Sequence, residues 1–432
     1  MFFVLHNLHL FSGIINGYKS VWRMVEVMDL RECELSPILV EGVEKRREQL
    51  VGISRFIWEN PEVGYKEYKA CEILVNALKE GGFDVTHKAC GMETAFIAQL
   101  RSPHRGPCIA LLAEYDSLGP LGHACGHNLF SVAAVGSALA LADVLERTGG
   151  VVMVLGTPAE EGVVPDAGGK ITMVEQGVFD NVDVAMMCHA EGRTIIEREL
   201  VAATVLECTF TGKAAHAGGS PQEGINALNA GALTIMNINA YRQHLPPRVV
   251  INPVIQESSR IQNTIPEKCV LSMSVRAVNK SILLNVLERV KNCIQAGAIA
   301  TGCSVEVTLR NKVYEDLVPN HNLALSFKRA LDYLQVPSIQ KEAANYSWDV
   351  GNVSHVCPTL APYIKIGPES LVGHTDEFRE ASNSQDGYDG MIVAAKAMAL
   401  TAMCYLTDAA LRENVQAEFK AAHPEVVMSA PS

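Results

Sequence analysis

The sequence predicts an α/β fold in which a mixed sheet is flanked by helices and a smaller α+β domain of ferredoxin-like topology is inserted. Two observations predict it. Apolar runs of strand length alternate with helix-period segments through most of the chain, as in α/β sheets. Between about residues 201 and 307 the order changes to β-α-β-β-α-β, which is that of a ferredoxin-like unit.

The length of the chain sets its domain organisation. Its 432 residues, 48% of them apolar, are enough for two or three domains. We predict an N-terminal tail at 1–23, a larger domain formed by 24–199 and 311–432, and an inserted domain at 200–310. The first residues are apolar but have no basic segment before Lys19, so they are interpreted as an appended tail rather than a targeting sequence.

Helix and strand patterns follow in order along the larger domain. Helix-period residues from about 38 to 58 stop at Asn60-Pro61, and a second helix at 66–80 ends at Gly81-Gly82. The elements that follow are strands at 95–100 and 108–113, a helix at 125–147, a strand at 151–155, a helix-forming stretch to 176 and a strand at 182–188.

The inserted domain has its own set of elements, and the earlier pattern resumes after it. Its predicted elements are a strand at 201–211, a helix at 224–241, strands at 248–256 and 268–275, a helix at 280–300 and a strand at 304–309. Helices at 322–334 and 387–406 and a strand at 362–366 follow. We expect these last elements to complete the larger domain.

The charge and cysteine content exclude several function classes. A formal charge of −12 leaves no basic face for nucleic acid or for an anionic membrane, and no uninterrupted apolar run has membrane-spanning length. Twelve cysteines are spread along the chain without the tight spacing of a disulfide framework, which indicates reduced thiols. We therefore expect a cytoplasmic protein whose partners are neither nucleic acid nor membrane.

A first group of metal-ligating residue types precedes a predicted helix. Glu114-Tyr115-Asp116 ends a buried strand, and Cys125 and His127 follow, two positions apart around a glycine. A thiolate and an imidazole at a helix N-terminus suit a borderline divalent metal such as zinc. A single cysteine is more often a buried structural residue, so it is the cluster that indicates a metal.

Two adjacent carboxylates, Glu160 and Glu161, leave a strand that is nearly all Val, Met and Leu. They repel each other unless a cation or a shared proton relieves them. Because neighbouring side chains point apart, one can bind metal while the other accepts a proton from water. A Glu pair is also common in surface loops, and only its combination with the cysteine and the histidines favours a metal site.

Three histidines complete the candidate set. His189 ends a further apolar strand, His374 lies in Gly373-His374-Thr375-Asp376, and His216 lies among small residues of the inserted domain. A lone histidine is more often structural than a ligand. However, open α/β sheets bind ligands beyond the carboxyl ends of their strands, which is where Glu114, Glu160 and His189 are expected.

The motifs resemble those of the co-catalytic metallopeptidases that include aminoacylases, glutamate carboxypeptidase and amino-acid-conjugate hydrolases. The resemblance covers nearly the whole chain after the tail. Gly122-His123-Ala124-Cys125-Gly126-His127-Asn128 and Gly156-Thr157-Pro158-Ala159-Glu160-Glu161 are most similar to the amidohydrolase branch, close to aminoacylase-like dipeptidases and p-aminobenzoyl-glutamate hydrolase. The resemblance implies a metallopeptidase catalytic domain with an inserted lid domain, through which two copies of the chain form a dimer.

The resemblance also implies a role for each candidate residue. Glu160 corresponds to the general base, and His216 to a residue that stabilises the oxyanion in a neighbouring subunit's site. Asn263 and Arg276 correspond to substrate-contacting positions, with a plain salt bridge as the alternative for Arg276. One or two divalent ions, zinc first with manganese or cobalt as alternatives, would be held by Cys125 as a candidate bridge, His127, Glu161, His189 and His374.

This chain departs from the family pattern at one position and leaves a choice at another. The carboxypeptidase members have a His-x-Asp ligand motif where this chain has Glu114-Tyr115-Asp116, so the first ligand of their two-metal site is missing. Asp116 is then expected to orient a ligand rather than to bind metal. His355 lies near another family-like loop, at 346–352, and is the alternative to His374.

The predicted function is hydrolysis of an amide bond in a dipeptide or an N-acyl or aryl amino-acid conjugate, by metal-activated water with Glu160 as base. The expected partners are that small-molecule substrate and a second copy of the chain. Two alternatives stay open: a thiol hydrolase with Cys125 as nucleophile and His127 as base, and a non-catalytic metal-binding subunit. The spacing of Cys125 and His127 argues against the first, because such side chains do not face each other well.

Overall fold

The structure is a computed structural model that describes residues 28–423. The tail predicted at 1–23 lies outside the described residues. In chain order the strands are β1 (Asp84–His87), β2 (Phe96–Arg101), β3 (Cys108–Ala113), β4 (Val151–Gly156), β5 (Val184–Met186), β6 (His189–Glu191), β7 (Ile195–Leu200), β8 (Ala202–Thr211), β9 (Val250–Ser258), β10 (Lys268–Ala277), β11 (Ser304–Leu309), β12 (Ile339–Tyr346), β13 (Thr359–Leu360) and β14 (Tyr363–Lys365).

The helices lie between and after these strands. In chain order they are α1 (Leu35–Lys45), α2 (Arg47–Glu59), α3 (Tyr68–Glu80), α4 (His127–Ala142), α5 (Leu145–Thr148), α6 (Gly169–Glu175), α7 (Ala227–Tyr241), α8 (Lys280–Thr301), α9 (His321–Tyr333), α10 (Val350–Ser354), α11 (Asp376–Ala381), α12 (Gln385–Thr407) and α13 (Ala409–Ala422).

A six-stranded sheet of order β1-β2-β4-β3-β5-β13 is the centre of the larger domain. The strands from β4 to β13 in this order run parallel, whereas β1 and β2 pair antiparallel. Parallel strands are covered on both faces, which is why β3 and β5 are continuous apolar runs. The predicted mixed sheet flanked by helices is confirmed.

Helices α4 and α12 form the core beside this sheet, with α4 on β3 and β4 and α12 on α4. Small residues let the two backbones approach, and Ser137 Oγ donates to Ala395 O at 2.8 Å. The sequence predicted no apolar run of membrane-spanning length, but α12 has that length and composition. Of its most apolar window, 83% is buried in the core, so α12 serves here as a core helix.

A second sheet of the larger domain has the order β12-β7-β14-β6. The sequence did not predict β6, β7 or β12. The reason is that β6 has only three residues and the other two mix charged with apolar side chains, so none forms an apolar run. This sheet pairs His189, the first residue of β6, with Tyr363, the first residue of β14.

The inserted domain is a four-stranded antiparallel sheet of order β11-β8-β10-β9 packed against α7 and α8. This is the strand order of a ferredoxin-like unit, as predicted. β8 begins at Ala202, directly after β7 ends at Leu200. The return segment, residues 310–320, leads from β11 back to α9 in the larger domain.

Two predicted helices are divided in the structure. The helix predicted at 38–58 is α1 followed by α2, because Arg46 leaves the helical conformation with φ −96° and ψ 2°. Its guanidinium instead donates to Asp143 at 2.7 Å. The helix predicted at 125–147 begins at His127 and ends at Ala142, and α5 is separate.

Candidate metal centre and active site

The candidate ligands converge at one edge of the six-stranded sheet. Glu114 follows β3, Glu160 follows β4, and His189 lies just beyond β5. Because these three strands are parallel, their carboxyl ends meet at the same edge. The N-terminus of α4 brings Cys125 and His127 to this edge as well.

The potential ligand atoms form three overlapping groups, within each of which all atoms lie within 4.8 Å of one another. The groups are Cys125, His127 and His189; Cys125, Glu161 and His374; and His127, Glu160 and Glu161. The Sγ of Cys125 lies 3.4 Å from His189 Nε2 and 3.6 Å from His374 Nε2. The structure therefore brings all five predicted ligands and Glu160 together.

His355, the alternative to His374, lies outside this cluster. Its Nε2 is 2.9 Å from the backbone oxygen of Asp316, and its ring packs against that of His423. Of the two histidines, only His374 belongs to a ligand group, which favours the choice made from its local motif.

Two residues with positive φ shape the loops around the cluster. Ala159 has φ 56°, and its N–H donates to Oε1 of the buried Glu67 at 2.9 Å. His374 has φ 63°, and its N–H donates to Ala124 O at 2.9 Å. Such conformations cost on the order of 1–3 kcal/mol each and persist when the surroundings hold them. These two bonds fix the loops that carry the carboxylates and His374.

The residues of the cluster fit a divalent metal. Three of its buried atoms, Glu114 Oε1, His127 Nε2 and Glu161 Oε1, have no hydrogen-bond partner among the described residues. Buried polar atoms in proteins are almost always satisfied, so three such atoms in one cluster favour a cation between them. Thiol, imidazole and carboxylate groups are ligands that zinc and related ions accept.

Asp116 lies in an orienting position. Its backbone oxygen and Oδ1 are 3.0 Å and 3.2 Å from Nδ1 of His127, which leaves Nε2 of that ring directed at the cluster. Its Oδ2 accepts the backbone N–H of Glu161 at 2.9 Å. Asp116 therefore contacts two candidate ligands and is not itself part of a ligand group.

The electrostatics of the cluster favour a bound cation. Burial raises the pKa of Glu160, and the carboxylates of Glu161 and Glu114 raise it further. Burial also raises the pKa of Glu161 to about 7 and that of the Cys125 thiol well above its usual range. A cation among these groups offsets such shifts. Burial lowers the pKa of His189 to about 4, so its imidazole is neutral and able to bind metal.

Sequence reasoning missed a buried ion cluster beneath the site. The Nζ of Lys170 lies 2.6 Å from both Glu114 Oε2 and Asp349 Oδ1, and all three side chains are at most 1% exposed. Trp348 Nε1 donates to the same Glu114 oxygen at 2.9 Å. Burial opposes the charge on Lys170, but Asp349 and Glu114 outweigh it and raise its pKa. The sequence signal was Lys170 as the single charged residue within 167–174.

A cleft of about 310 Å³ opens over the cluster, a volume within the range of small-molecule sites. Arg276, near the end of β10, is part of its wall. Its guanidinium donates to Asn345 O at 3.0 Å, and no carboxylate among the described residues forms an ion pair with it. Burial lowers the pKa of Arg276. Among the described residues, Arg276 therefore does not form the plain salt bridge that was the alternative for it.

Besides the buried His127 and Asp116, two predicted site residues do not line the cleft of their own chain. His216 and Asn263 are exposed and lie close together in the inserted domain, where His216 forms a β-bridge with Thr264. Nδ1 of His216 accepts the N–H of Gly219 at 2.9 Å, which assigns the ring proton to Nε2. The outer nitrogen is thus a hydrogen-bond donor, as an oxyanion-stabilising residue requires.

Known proteins are similar to this chain over most of its length. Residues 201–316 match the family model of the peptidase dimerisation domain of M20 peptidases. The chain is 35% identical to the Xaa-Arg dipeptidase of Mus musculus over 396 residues, which are 88% of this chain and 91% of that protein. It is 27% identical to a p-aminobenzoyl-glutamate hydrolase chain of Escherichia coli, over 92% of this chain and 96% of the relative.

Solved structures share the fold. A dinuclear metal-binding peptidase of the M20 family from Bacillus subtilis has a TM-score of 0.62 at 18% identity, covering 84% of this chain and 99% of the other. An aminobenzoyl-glutamate utilization protein from Klebsiella pneumoniae has a TM-score of 0.65 at 20% identity, covering 84% and 98%. With the dipeptidase relative, which is similar nearly from end to end, these findings confirm that this chain belongs to the M20 peptidase family and is a metal-dependent amide-bond hydrolase.

Proposed function

We propose that this chain hydrolyses dipeptides with a basic C-terminal residue, at a centre of two divalent ions and with Glu160 as general base. Two relatives named Xaa-Arg dipeptidase, from Mus musculus and Homo sapiens, support this substrate class. The overlapping ligand groups around Cys125 support two ions rather than one. Zinc suits this donor set, and manganese or cobalt are the alternatives.

The observation that carries the proposal is Arg276, which forms no ion pair with a described carboxylate and lies in the same cleft as the carboxylates of the cluster. A dipeptide has a free carboxylate one residue from its scissile amide, and that carboxylate can pair with this guanidinium. The amide then lies towards Glu160. The exposed ring of Tyr346 also lines the cleft and offers a stacking surface for a basic side chain.

The residues of the chain divide the chemistry between them. When bound, the metal lowers the pKa of a coordinated water and polarises the amide carbonyl. Glu160 Oε2 lies 3.8 Å from His127 Nε2 and accepts the proton of the attacking water. It then delivers the proton to the leaving amine. Asp116 keeps Nε2 of His127 directed at the cluster, where it would hold the metal.

We test this function with purified chain and a panel of alanyl-arginine, alanyl-lysine, alanyl-alanine, N-acetyl-arginine and p-aminobenzoyl-glutamate. Hydrolysis is measured before chelation, after it, and after zinc, manganese or cobalt is added back singly. We expect kcat/KM for the two basic dipeptides to exceed that for alanyl-alanine by about 10-fold or more. Activity should disappear with the chelator and return with one of the metals.

Two other outcomes would redirect the proposal. Turnover that resists chelation but is lost on thiol alkylation would make Cys125 a nucleophile, as in the thiol-hydrolase alternative. Faster hydrolysis of p-aminobenzoyl-glutamate than of alanyl-arginine would reject a basic leaving residue and leave the metallohydrolase chemistry intact.

We also propose a homodimer formed through the inserted domain. The family model matched at 201–316 is that of a dimerisation domain, and the domain exposes large apolar side chains such as Met236 on α7 and Ile299 on α8. Exposed apolar surface of this kind is typical of interfaces. In this assembly His216 would reach the cleft of the partner subunit. This would explain why His216 does not line the cleft of its own subunit.

Subunit mixing tests this role of His216. Loss of one oxyanion donor costs on the order of 3 kcal/mol, so His216→Ala and Glu160→Gln homodimers should both be nearly inactive. When the two are unfolded and refolded together in equal amounts, mixed dimers contain one complete site, and about a quarter of wild-type activity should return. No recovery in mixtures shown to contain mixed dimers would place His216 outside the partner's site.

The cysteines support a cytoplasmic location, which we propose as well. All twelve are free in the structure, and six of them are buried in the cores of the two domains. Reduced thiols persist in a compartment that glutathione and thioredoxin keep reducing. Fluorescence microscopy of the tagged chain checks this location, and accumulation in a secretory compartment would contradict it.

A further inference from the structure

Tyr314, in the return segment, contacts both domains. Its backbone forms a β-bridge with Ala203 of β8, in which each N–H donates to the other residue's oxygen at 2.9 Å. Its hydroxyl donates to the backbone oxygen of Glu160 at 2.7 Å. A carbonyl oxygen can only accept, so the tyrosine is the donor. Tyr314 is 5% exposed and thus ties the inserted domain to the loop of the proposed base.

Arg276 stands in the same cross-strand row as Tyr314. Ala203 lies opposite Arg276 in the pairing of β8 with β10, and it lies opposite Tyr314 on its other side. Residues directly opposite each other in antiparallel pairs project their side chains to the same face of the sheet. The guanidinium in the cleft and the tyrosine that holds Glu160 are therefore two strands apart on one face of the inserted sheet.

We propose that Tyr314 is a positioning residue that couples carboxylate binding at Arg276 to the placement of Glu160. This inference rests on the proposed function, in which Arg276 binds the substrate carboxylate and Glu160 is the base. A carboxylate bound by Arg276 holds the inserted sheet against the cleft. The position of the inserted sheet is transmitted through Ala203 to Tyr314. The hydrogen bond from the Tyr314 hydroxyl then fixes the position of the Glu160 backbone. Small displacements of a catalytic group lower the rate strongly.

A second tyrosine provides a matched control. The hydroxyl of Tyr65 donates to the backbone oxygen of Asp166 at 2.7 Å, on the same loop that carries Glu160. Tyr65 lies between α2 and α3 in the larger domain and has no part in the row that contains Arg276. Tyr65→Phe therefore removes a hydrogen bond of the same kind from the loop and leaves the donors of two other bonds unchanged, the Tyr314 hydroxyl that bonds to Glu160 O and the Asp166 N–H that bonds to Arg310 O.

The test compares wild-type, Tyr314→Phe and Tyr65→Phe proteins, all metal-loaded, on alanyl-arginine and on its C-terminal amide. Tyr314→Phe should lower kcat on alanyl-arginine about 10-fold or more with KM within about 2-fold of wild type. On the amide, which gives Arg276 no anion, it should lower kcat by less than about 2-fold. Tyr65→Phe should stay within about 2-fold on both substrates.

Two kinetic results would overturn the coupling. One is that Tyr314→Phe hydrolyses alanyl-arginine with the same kcat as the wild-type protein. The other is an equal loss on both substrates, which would make Tyr314 a local support of the loop. Thermal unfolding and metal content of each variant are measured alongside, so that a folding defect is recognised.

A second measurement does not depend on turnover. Hydrogen exchange of residues 157–168 is followed in the metal-loaded proteins with free arginine and with argininamide, which lacks the carboxylate. Arginine, but not argininamide, should slow the exchange of these residues about 3-fold or more in the wild-type and Tyr65→Phe proteins. In Tyr314→Phe, neither compound should slow it. Protection in Tyr314→Phe, or none in wild type, would overturn the proposal. If arginine slows exchange in the wild-type protein but no dipeptide is hydrolysed, only the proposed substrate class is rejected, and the coupling stands.

Discussion

Glu160→Gln is expected to lower kcat by about 10²- to 10⁴-fold while the bound metal stays at the wild-type level. Glutamine has nearly the same shape as glutamate, but its amide cannot accept the proton of the attacking water. The side chain of Glu160 is buried beside His127 and Glu161. A carboxylate ion from the solution therefore cannot take its place. Steady-state kinetics on alanyl-arginine and metal analysis by mass spectrometry measure the two quantities on the same preparation.

The neighbouring substitution Glu161→Gln supplies the contrast. Oε1 of Glu161 is buried without a described hydrogen-bond partner and lies 3.8 Å from His374 Nε2, as a ligand atom would. We therefore expect Glu161→Gln to lose metal. Two results would contradict the roles of Glu160 as base and Glu161 as ligand. One is wild-type turnover by Glu160→Gln, and the other is loss of metal from Glu160→Gln with metal retained in Glu161→Gln.

Lys170→Met is expected to lower the free energy of unfolding by about 3–5 kcal/mol, because it removes one partner of a buried ion cluster. Methionine fills much of the space of the lysine chain but leaves Glu114 and Asp349 buried without their cation. Urea denaturation of the metal-free protein at neutral pH measures the loss, so that altered metal binding does not contribute.

The control for this substitution is Lys268→Met in the inserted domain. Lys268 pairs with Glu257 at 2.8 Å, but the two side chains are 50% and 56% exposed. An exposed pair of this kind contributes about 1 kcal/mol or less. A loss in Lys170→Met no larger than in Lys268→Met would show that the buried lysine does not support the site.

The ion cluster accounts for the departure of Glu114-Tyr115-Asp116 from the family's His-x-Asp motif. Oε2 of Glu114 accepts from Lys170 and Trp348, while Oε1 lies 3.3 Å from His127 Nε2. Burial raises the pKa of Glu114, but Lys170 and His127 outweigh it and hold the pKa below its usual range. A negative charge thus faces the cluster at this position, where the related carboxypeptidases have an imidazole.

Local pattern alone was sufficient for the fold class, for most elements and for the identity of the candidate ligands. Cys125 with His127 and Glu160 with Glu161 are contiguous motifs, and each follows a buried strand whose apolar run is visible in the sequence. Because parallel strands end at one edge, their convergence also followed from strand order. The β-α-β-β-α-β order of the inserted domain was visible for the same reason, since each of its elements is long.

The rest depended on packing between residues far apart in the chain. Strands β6, β7 and β12 are short or mixed in polarity, and they form only because they pair with one another and with β14. Lys170 is 56 positions from Glu114 and 179 from Asp349, and no periodicity connects them. The hydrogen bond from Tyr314 to Glu160 spans 154 positions. Such partners are decided by the shape of the folded core, where a buried charge or donor must find its counterpart whatever its distance in sequence.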